Sequence, residues 1–250
     1  MLRLRPIVAL VLVIAVQALL VDPHEAQAQG VGPYDNSPDD TGLWLGVFDR
    51  GDISHDALPN RYKWWFDGHA RFFDDRSGYG QSSQSIVRPG IGYDLNDQAT
   101  VWAGYGWIRS SRNGTDTDEH RFWQQLTWSQ QLEPVTVGVR SRLEQRFLER
   151  ESETAWRFRQ LLSWRHELQS APQFSLVIWN EVFINLNNTL WGGVNGFDQN
   201  RLFFGFGRKC GSRSRSRVEI GYLYQRIQGW NSRGPTLNNH LLSVNLYRSP

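Results

Sequence analysis

Residues Val135 to Phe147 read VTVGVRSRLEQRF, and this stretch decides the fold. Strand side chains point alternately to opposite faces. Val135, Val137, Val139, Leu143 and Phe147 therefore share one face with Ser141 and Gln145, and Arg140, Arg142, Glu144 and Arg146 share the other. A soluble sandwich cannot use such a strand. Its apolar face needs an apolar neighbour, and its row of charges needs water or one another. A barrel with lipid outside and a polar lumen within meets both needs.

The rest of the chain repeats the pattern. Period-two segments run over Arg61–Phe73, Gln84–Leu95, Gln98–Ile108, Glu119–Gln130, Val135–Phe147, Ala155–Leu168, Gln173–Asn187, Asp198–Lys209, Ser216–Ile227 and Asn239–Tyr247. In the first, Tyr62, Trp64, Phe66, Gly68, Ala70 and Phe72 point out, and Arg61, Lys63, Trp65, Asp67, His69, Arg71 and Phe73 point in. Gln124 and Asn180 are polar exceptions on the outward face. Gly42 to Asp49, GLWLGVFD, is a further candidate strand, either in the lumen or with a hidden twelfth, because bacterial barrels have even strand numbers. The fold expected is an all-β, transmembrane, antiparallel up-and-down barrel of about ten to twelve strands.

Connections alternate in length. LNDQ, QLEP, QSAP and the turn at Gly211 are short, whereas DDRSGYGQSSQ, RSSRNGTDTD, LERESE, NTLWGGVNGF and QGWNSRGPTLN are longer. Short turns face the periplasm in such barrels and long loops face outside. On that assignment Trp64, Tyr93, Trp128 and Trp164 fall near the periplasmic level, and Phe72, Trp107, Trp156 and Tyr224 near the outer level, as two interfacial girdles.

Composition agrees. Aromatics reach 13% with twelve Trp, yet mean hydropathy is −0.51, as expected when only alternate strand positions meet lipid. Arg3 and Arg5, the apolar run Ile7 to Val21 broken by Gln17, and Ala26-Gln27-Ala28 form the three regions of a secretory signal peptide. A short membrane anchor is the alternative, but the run is short for a spanning helix. Residues 1–28 are thus expected to be cleaved, 29–41 to form a flexible lead-in, and 42–250 to form the barrel. The formal charge of +2 implies no polyanionic partner, and the run SRSRSR at 212–217 fits a charged turn better than a nucleic-acid contact. Cys210 is the single cysteine, so no intramolecular disulfide or cysteine-based zinc site can form. The six His form no metal-binding pattern, and no metal or cofactor is expected.

Several motifs occur in matching order: GIGYDL from Gly90, WAGYGWI from Trp102, EHRFWQQ from Glu119, RSRLEQRF from Arg140, RFRQ from Arg157, NEVFINLN from Asn180, FDQNR from Phe197 and EIGYLYQ from Glu219. Together, over about Leu43 to Leu246, they resemble the domain of unknown function 2490 family of bacterial outer-membrane β-barrels. The resemblance implies a barrel in the outer membrane of Gram-negative bacteria, inserted by the barrel-assembly machinery among outer-membrane lipids. It supplies no substrate and no catalytic residues. At the C-terminus the chain departs from the usual aromatic ending: Tyr247, out of phase with outward Leu242, Val244 and Leu246, is followed by Arg248-Ser249-Pro250.

Parity places Lys63, Arg71, Arg88, Arg121, Arg140, Arg142, Arg146, Arg157, Arg159, Arg165, Arg201 and Arg217 inside, against Asp67, Asp94, Glu119, Glu144, Glu167, Glu181 and Glu219. Two functions use the same residues. Surplus arginine could line a narrow passive pore for small, anionic solutes, or the charges could pair and fill the lumen of a structural barrel. Inward Trp65, Trp123 and Trp179 narrow the interior further. A lipid-modifying enzyme is the alternative class. His240 and Ser243 point to opposite strand faces and cannot form a local base and nucleophile, which leaves His69, Glu144 and Glu181 as candidates by residue type alone. The expectation is a protein that is not an enzyme.

Overall fold

The computed structural model describes residues 39–53, 61–74, 82–112, 114–211, 216–228 and 236–248. The expected signal peptide and residues 29–38 of the lead-in lie outside the described residues, as do 212–215 of the SRSRSR run. Eleven strands follow in order: β1 (Asp39–Asp52), β2 (Tyr62–Phe73), β3 (Ser82–Asp94), β4 (Ala99–Arg112), β5 (Thr115–Leu132), β6 (Val135–Leu148), β7 (Ala155–Leu168), β8 (Ala171–Asn185), β9 (Gly196–Cys210), β10 (Ser216–Ile227) and β11 (Leu237–Arg248). Each pairs with the next, and β11 returns to β1 to close the barrel.

The odd number has a geometric consequence. Up-and-down neighbours alternate in direction, so the first and last strands of an odd set must run the same way. β1 and β11 accordingly pair in parallel, from Asp39 opposite Asn238 to Asp49 opposite Arg248. Eleven lies within the expected ten to twelve, and only the assumptions of an even number and of antiparallel pairing at every seam give way. GLWLGVFD is part of a wall strand, and that strand begins at Asp39, inside the stretch read as a lead-in. The parallel seam also accounts for Tyr247. It points into the lumen opposite Phe48, with the two rings stacked at 4.7 Å and 6°.

One loop is a correction as well. RSSRNGTDTD is not a long loop: the β4–β5 ladder continues to Arg112 opposite Thr115, and Gly114 takes a φ of 77°. Glycine adopts such a φ without a Cβ penalty. Connections 95–98, 133–134 and 169–170 lie at one rim, called here the short-turn rim, and 149–154 and 186–195 at the opposite, long-loop rim.

Outward positions carry exposed apolar side chains on strand after strand, among them Leu45, Phe66, Ile91, Phe122, Leu126, Phe147, Phe204, Phe206, Ile220 and Leu242. An apolar belt of this extent is the lipid-facing surface of a transmembrane barrel. The polar exceptions on it are bonded to one another. Gln145 donates to Gln124 at 3.1 Å, Asn180 and Asn200 exchange bonds at 3.1 and 3.2 Å, and Ser141 donates to Gln160 at 2.7 Å. In hydrocarbon an unsatisfied amide costs several kcal/mol, roughly the range for buried polar groups generally, so cross-strand pairing is the way such groups persist.

Candidate functional site

The lumen is the candidate site, and it is built by parity from the inward faces of the strands. The four charges of the Val135–Phe147 stretch make their short bonds to other strands, with Arg142 and Glu144 3.8 Å apart along their own. Each reaches a different neighbour. Arg140 donates to Glu181 at 2.6 Å, Arg142 to Gln125 at 2.7 Å, and Arg146 to Glu119 at 2.6 Å, while Glu144 accepts from Arg159 at 2.6 Å and Arg157 at 2.9 Å. Arg121 joins Glu119 at 2.7 Å and approaches Glu144 at 3.5 Å. Glu181 also accepts from Arg159 at 2.8 Å and has Arg201 at 3.7 Å.

Asp67 is a further carboxylate at the centre. It accepts from Arg88 at 2.5 Å and from the Trp65 indole at 3.0 Å, with His69 at 3.5 Å and Arg142 at 3.7 Å. His69 in turn accepts a bond from the Trp44 indole at 3.0 Å. Asp67, Arg142 and Glu144 are 0% exposed. Buried charges persist only with compensation: arginines surround Asp67 and Glu144, while Arg142 hydrogen-bonds Gln125 and has those two carboxylates at 3.7 and 3.8 Å.

Aromatic and aliphatic side chains complete the closure. Trp123 is 0% exposed and occupies the space above Gly90 and Gly104, where a side chain would collide with its ring. Arg142 lies over the other part of that indole, 4.5 Å from the ring centre. Phe183 carries Arg159 and Arg201 over its ring at 4.6 and 4.3 Å. Across the lumen, Trp44, Val177, Phe203, Leu223 and Leu241 form an apolar cluster. The barrel is therefore filled by ion pairs on one side and by hydrocarbon on the other.

A cavity of about 620 Å³ lies between this plug and the short-turn rim. Asp52, Lys63 and Asp94 stand at its mouth, Trp65, Trp102 and Trp179 on its walls, and Arg71, Arg88, Arg140, Arg159, Arg201 and Glu181 at its inner end.

The structure separates the residues singled out in the sequence. Arg121, Arg140, Arg142, Glu144, Arg146, Arg157, Arg159, Glu181 and Arg201 meet in the central network. Arg71 is inward but bonds the neutral Gln84 at 2.8 Å. Arg165 bonds Thr136 at 3.0 Å near the cavity mouth, Glu167 pairs with Lys209 at 2.9 Å, and Glu219 with Arg217 at 2.7 Å, all apart from the centre. Trp64, Tyr93, Trp128 and Trp164 occupy outward positions toward the short-turn rim, and Phe72, Trp107, Trp156 and Tyr224 toward the other. Their polar tips bond at the rims: Trp128 to Gln98 at 3.3 Å, Trp107 to Asp118 at 3.0 Å, Tyr224 to Asn238 at 2.8 Å. Beyond Trp107, Arg109 donates to Asp118 at 2.8 Å and holds that carboxyl below the usual carboxylate range. Gln125, Phe183 and Trp44 join the site without having been singled out in the sequence. Parity already placed Asp67 and Glu119 inside; Trp44 was hidden by the uncertainty over β1.

These features define the class, a closed transmembrane β-barrel with an ion-paired lumen. Within that class, the chain belongs to the family described as a protein of unknown function, DUF2490, which matches residues 41–234. An uncharacterized protein of Methylorubrum extorquens is 34% identical over 174 residues, covering 68% of this chain and 75% of that one. Among solved structures, LpxR from Salmonella typhimurium aligns with a TM-score of 0.47 at 9% identity, over 79% of this chain and 85% of that chain. A structure of the NanC porin aligns with 0.45 at 13%, over 79% and 93%. OmpT, an outer membrane protein of Vibrio cholerae in trimer form, aligns with 0.39 at 15% over 72% of this chain, which spans 59% of the length of that protein.

Proposed function

We propose that this protein is an outer-membrane barrel, exported by the signal peptide at 1–28, whose lumen is closed by its own side chains and which serves as a structural, non-catalytic membrane protein with a blind inner vestibule. The short-turn rim faces the periplasm and the long-loop rim faces outside, by the rule that holds for bacterial barrels. The outward Trp and Tyr residues sit as girdles at the two lipid interfaces. Its partners are outer-membrane lipids, the barrel-assembly machinery during insertion, and small solutes that enter the vestibule.

The observation that carries this reading is the complete burial of Asp67, Trp123, Arg142, Glu144 and Phe183, all pointing into the lumen from different parts of the wall. An open anion pore built on the same arginines requires a water path past them, and inward groups with no exposed surface leave none beside them. Catalysis finds no better support: His69 is engaged with Trp44 and Asp67 inside the plug.

Single-channel recording from the refolded protein in a planar bilayer tests the proposal. Folded, inserted wild type is expected to stay silent, and Arg142→Ala to produce discrete openings. Steady wild-type openings with anion preference under a salt gradient, weakened by Arg142→Ala and Arg146→Ala, would overturn it in favour of the pore.

A further inference from the structure

The arginines at the inner end of the vestibule are unequally compensated. Arg88 has Asp67 at 2.5 Å, Arg140 has Glu181 at 2.6 Å, and Arg159 has both Glu144 and Glu181. Arg71 has no ion-pair partner among the described residues, although it is only 7% exposed; its Nε, buried, meets no acceptor. Arg201, 5% exposed, has Glu181 no closer than 3.7 Å and otherwise meets only neutral amides, Gln199 at 3.3 Å and Gln225 at 3.2 Å. Both guanidiniums stand on one indole, with Arg71 3.5 Å and Arg201 4.7 Å from the Trp44 ring centre. Two like charges thus share an aromatic support at the blind end of a cavity, and the nearest carboxylate, Glu181, accepts its hydrogen bonds from Arg140 and Arg159.

We infer that Arg71 and Arg201, braced by Trp44, form a binding site for the oxyanion group, carboxylate or phosphate, of a small solute that enters through the short-turn rim. A guanidinium presents donors in a planar fork that matches two oxygens of such a group. Burial strengthens the attraction because little water intervenes, and a bound anion relieves the cost of holding a buried cation without a partner. The cavity volume of about 620 Å³ falls in the range of small-molecule sites, and Trp65 and Trp179 on its walls offer flat faces to the body of the solute. This inference goes beyond the closed-barrel proposal and does not require the plug to open.

The test is calorimetric titration of the refolded full barrel in detergent micelles at constant ionic strength, with inorganic phosphate in one arm and acetate in the other, each against chloride. Wild type is expected to give saturable heat in at least one arm, which identifies the group. Arg71→Gln and Arg201→Gln are expected to weaken that binding at least tenfold, and Arg109→Gln at the exposed rim to leave it unchanged. Where a glutamine variant does not fold, as judged by its electrophoretic mobility before and after boiling, Arg71→Lys keeps the charge without the fork and is expected to weaken binding as well. Absence of saturable heat with both anions, or wild-type affinity in a folded Arg71 variant, would overturn the site. Neither outcome depends on conductance, so failure here is separable from failure of the closed-barrel proposal.

Discussion

The guanidinium of Arg142 on β6 lies over the indole of Trp123 on the adjacent β5, 4.5 Å from its ring centre, and neither side chain is exposed. The contact ties the ion-pair network to a tryptophan cluster, since Arg142 also approaches Asp67 while Trp123 packs with Trp65 at 6.4 Å. Trp123→Ala removes the ring, leaves a void above Gly90 and Gly104, and is expected to destabilise the barrel by about 3–5 kcal/mol, the usual range for deleting a buried aromatic. Trp123→Phe keeps a ring face under Arg142 and should lose less. Urea unfolding of the protein in lipid vesicles measures both.

Glu144 has Arg157, Arg159, Arg121 and Arg142 within ion-pairing distance. Glu144→Gln preserves its shape but leaves those cations short of a negative charge. A loss of about 3–5 kcal/mol is expected, because breaking a buried pair strands its partner. Glu167→Gln, at the half-exposed pair with Lys209, should change stability by less than about 1 kcal/mol. The same unfolding measurement compares the two, and equal effects would contradict the assignment of Glu144 to the plug.

Gly104→Ala places a methyl group against the Trp123 ring and the Pro89 carbonyl, closer than real side-chain carbons come. The ring cannot retreat without displacing Arg142. Overpacking of this kind costs about 1–3 kcal/mol, and the expected result is a lower unfolding midpoint with the barrel still formed. At Gly68 the nearest side-chain atom is a Phe66 ring carbon at 3.4 Å, so Gly68→Ala should be tolerated.

The parallel seam is open to a direct chemical check. Leu45 is in register with Val244 across β1 and β11. In a Cys210→Ser background, Leu45→Cys with Val244→Cys is expected to cross-link under a membrane-permeable oxidant and to shift the electrophoretic mobility of the denatured chain. Leu45→Cys with Leu241→Cys, which point to opposite sides of the wall, should not cross-link.

Much of the barrel was legible in the chain. Alternation assigned Arg142, Glu144 and Arg159 to the lumen and Phe66, Phe147 and Leu242 to the lipid, because a strand has only two faces and a one-residue shift exchanges them. The same alternation flagged Tyr247 as out of phase without explaining it; the explanation needed Phe48, on a strand whose place in the wall was unknown. Gln124 and Asn180 likewise stood out as exceptions, and their partners Gln145 and Asn200 lie on neighbouring strands whose register no single segment reveals.

Side-chain period is a local property, dictated by the geometry of one extended strand, and so the residue order alone settled which groups face in and which face out. Closure is not local. The number of strands, the parallel meeting of β1 with β11, and the choice of Glu119, Glu144, Glu181 or Asp67 as partner for a given arginine depend on the stagger and radius of the whole barrel. Only the folded wall brings Asp67 of β2 to Arg142 of β6, and only that distance decides whether the charges line a passage or fill it.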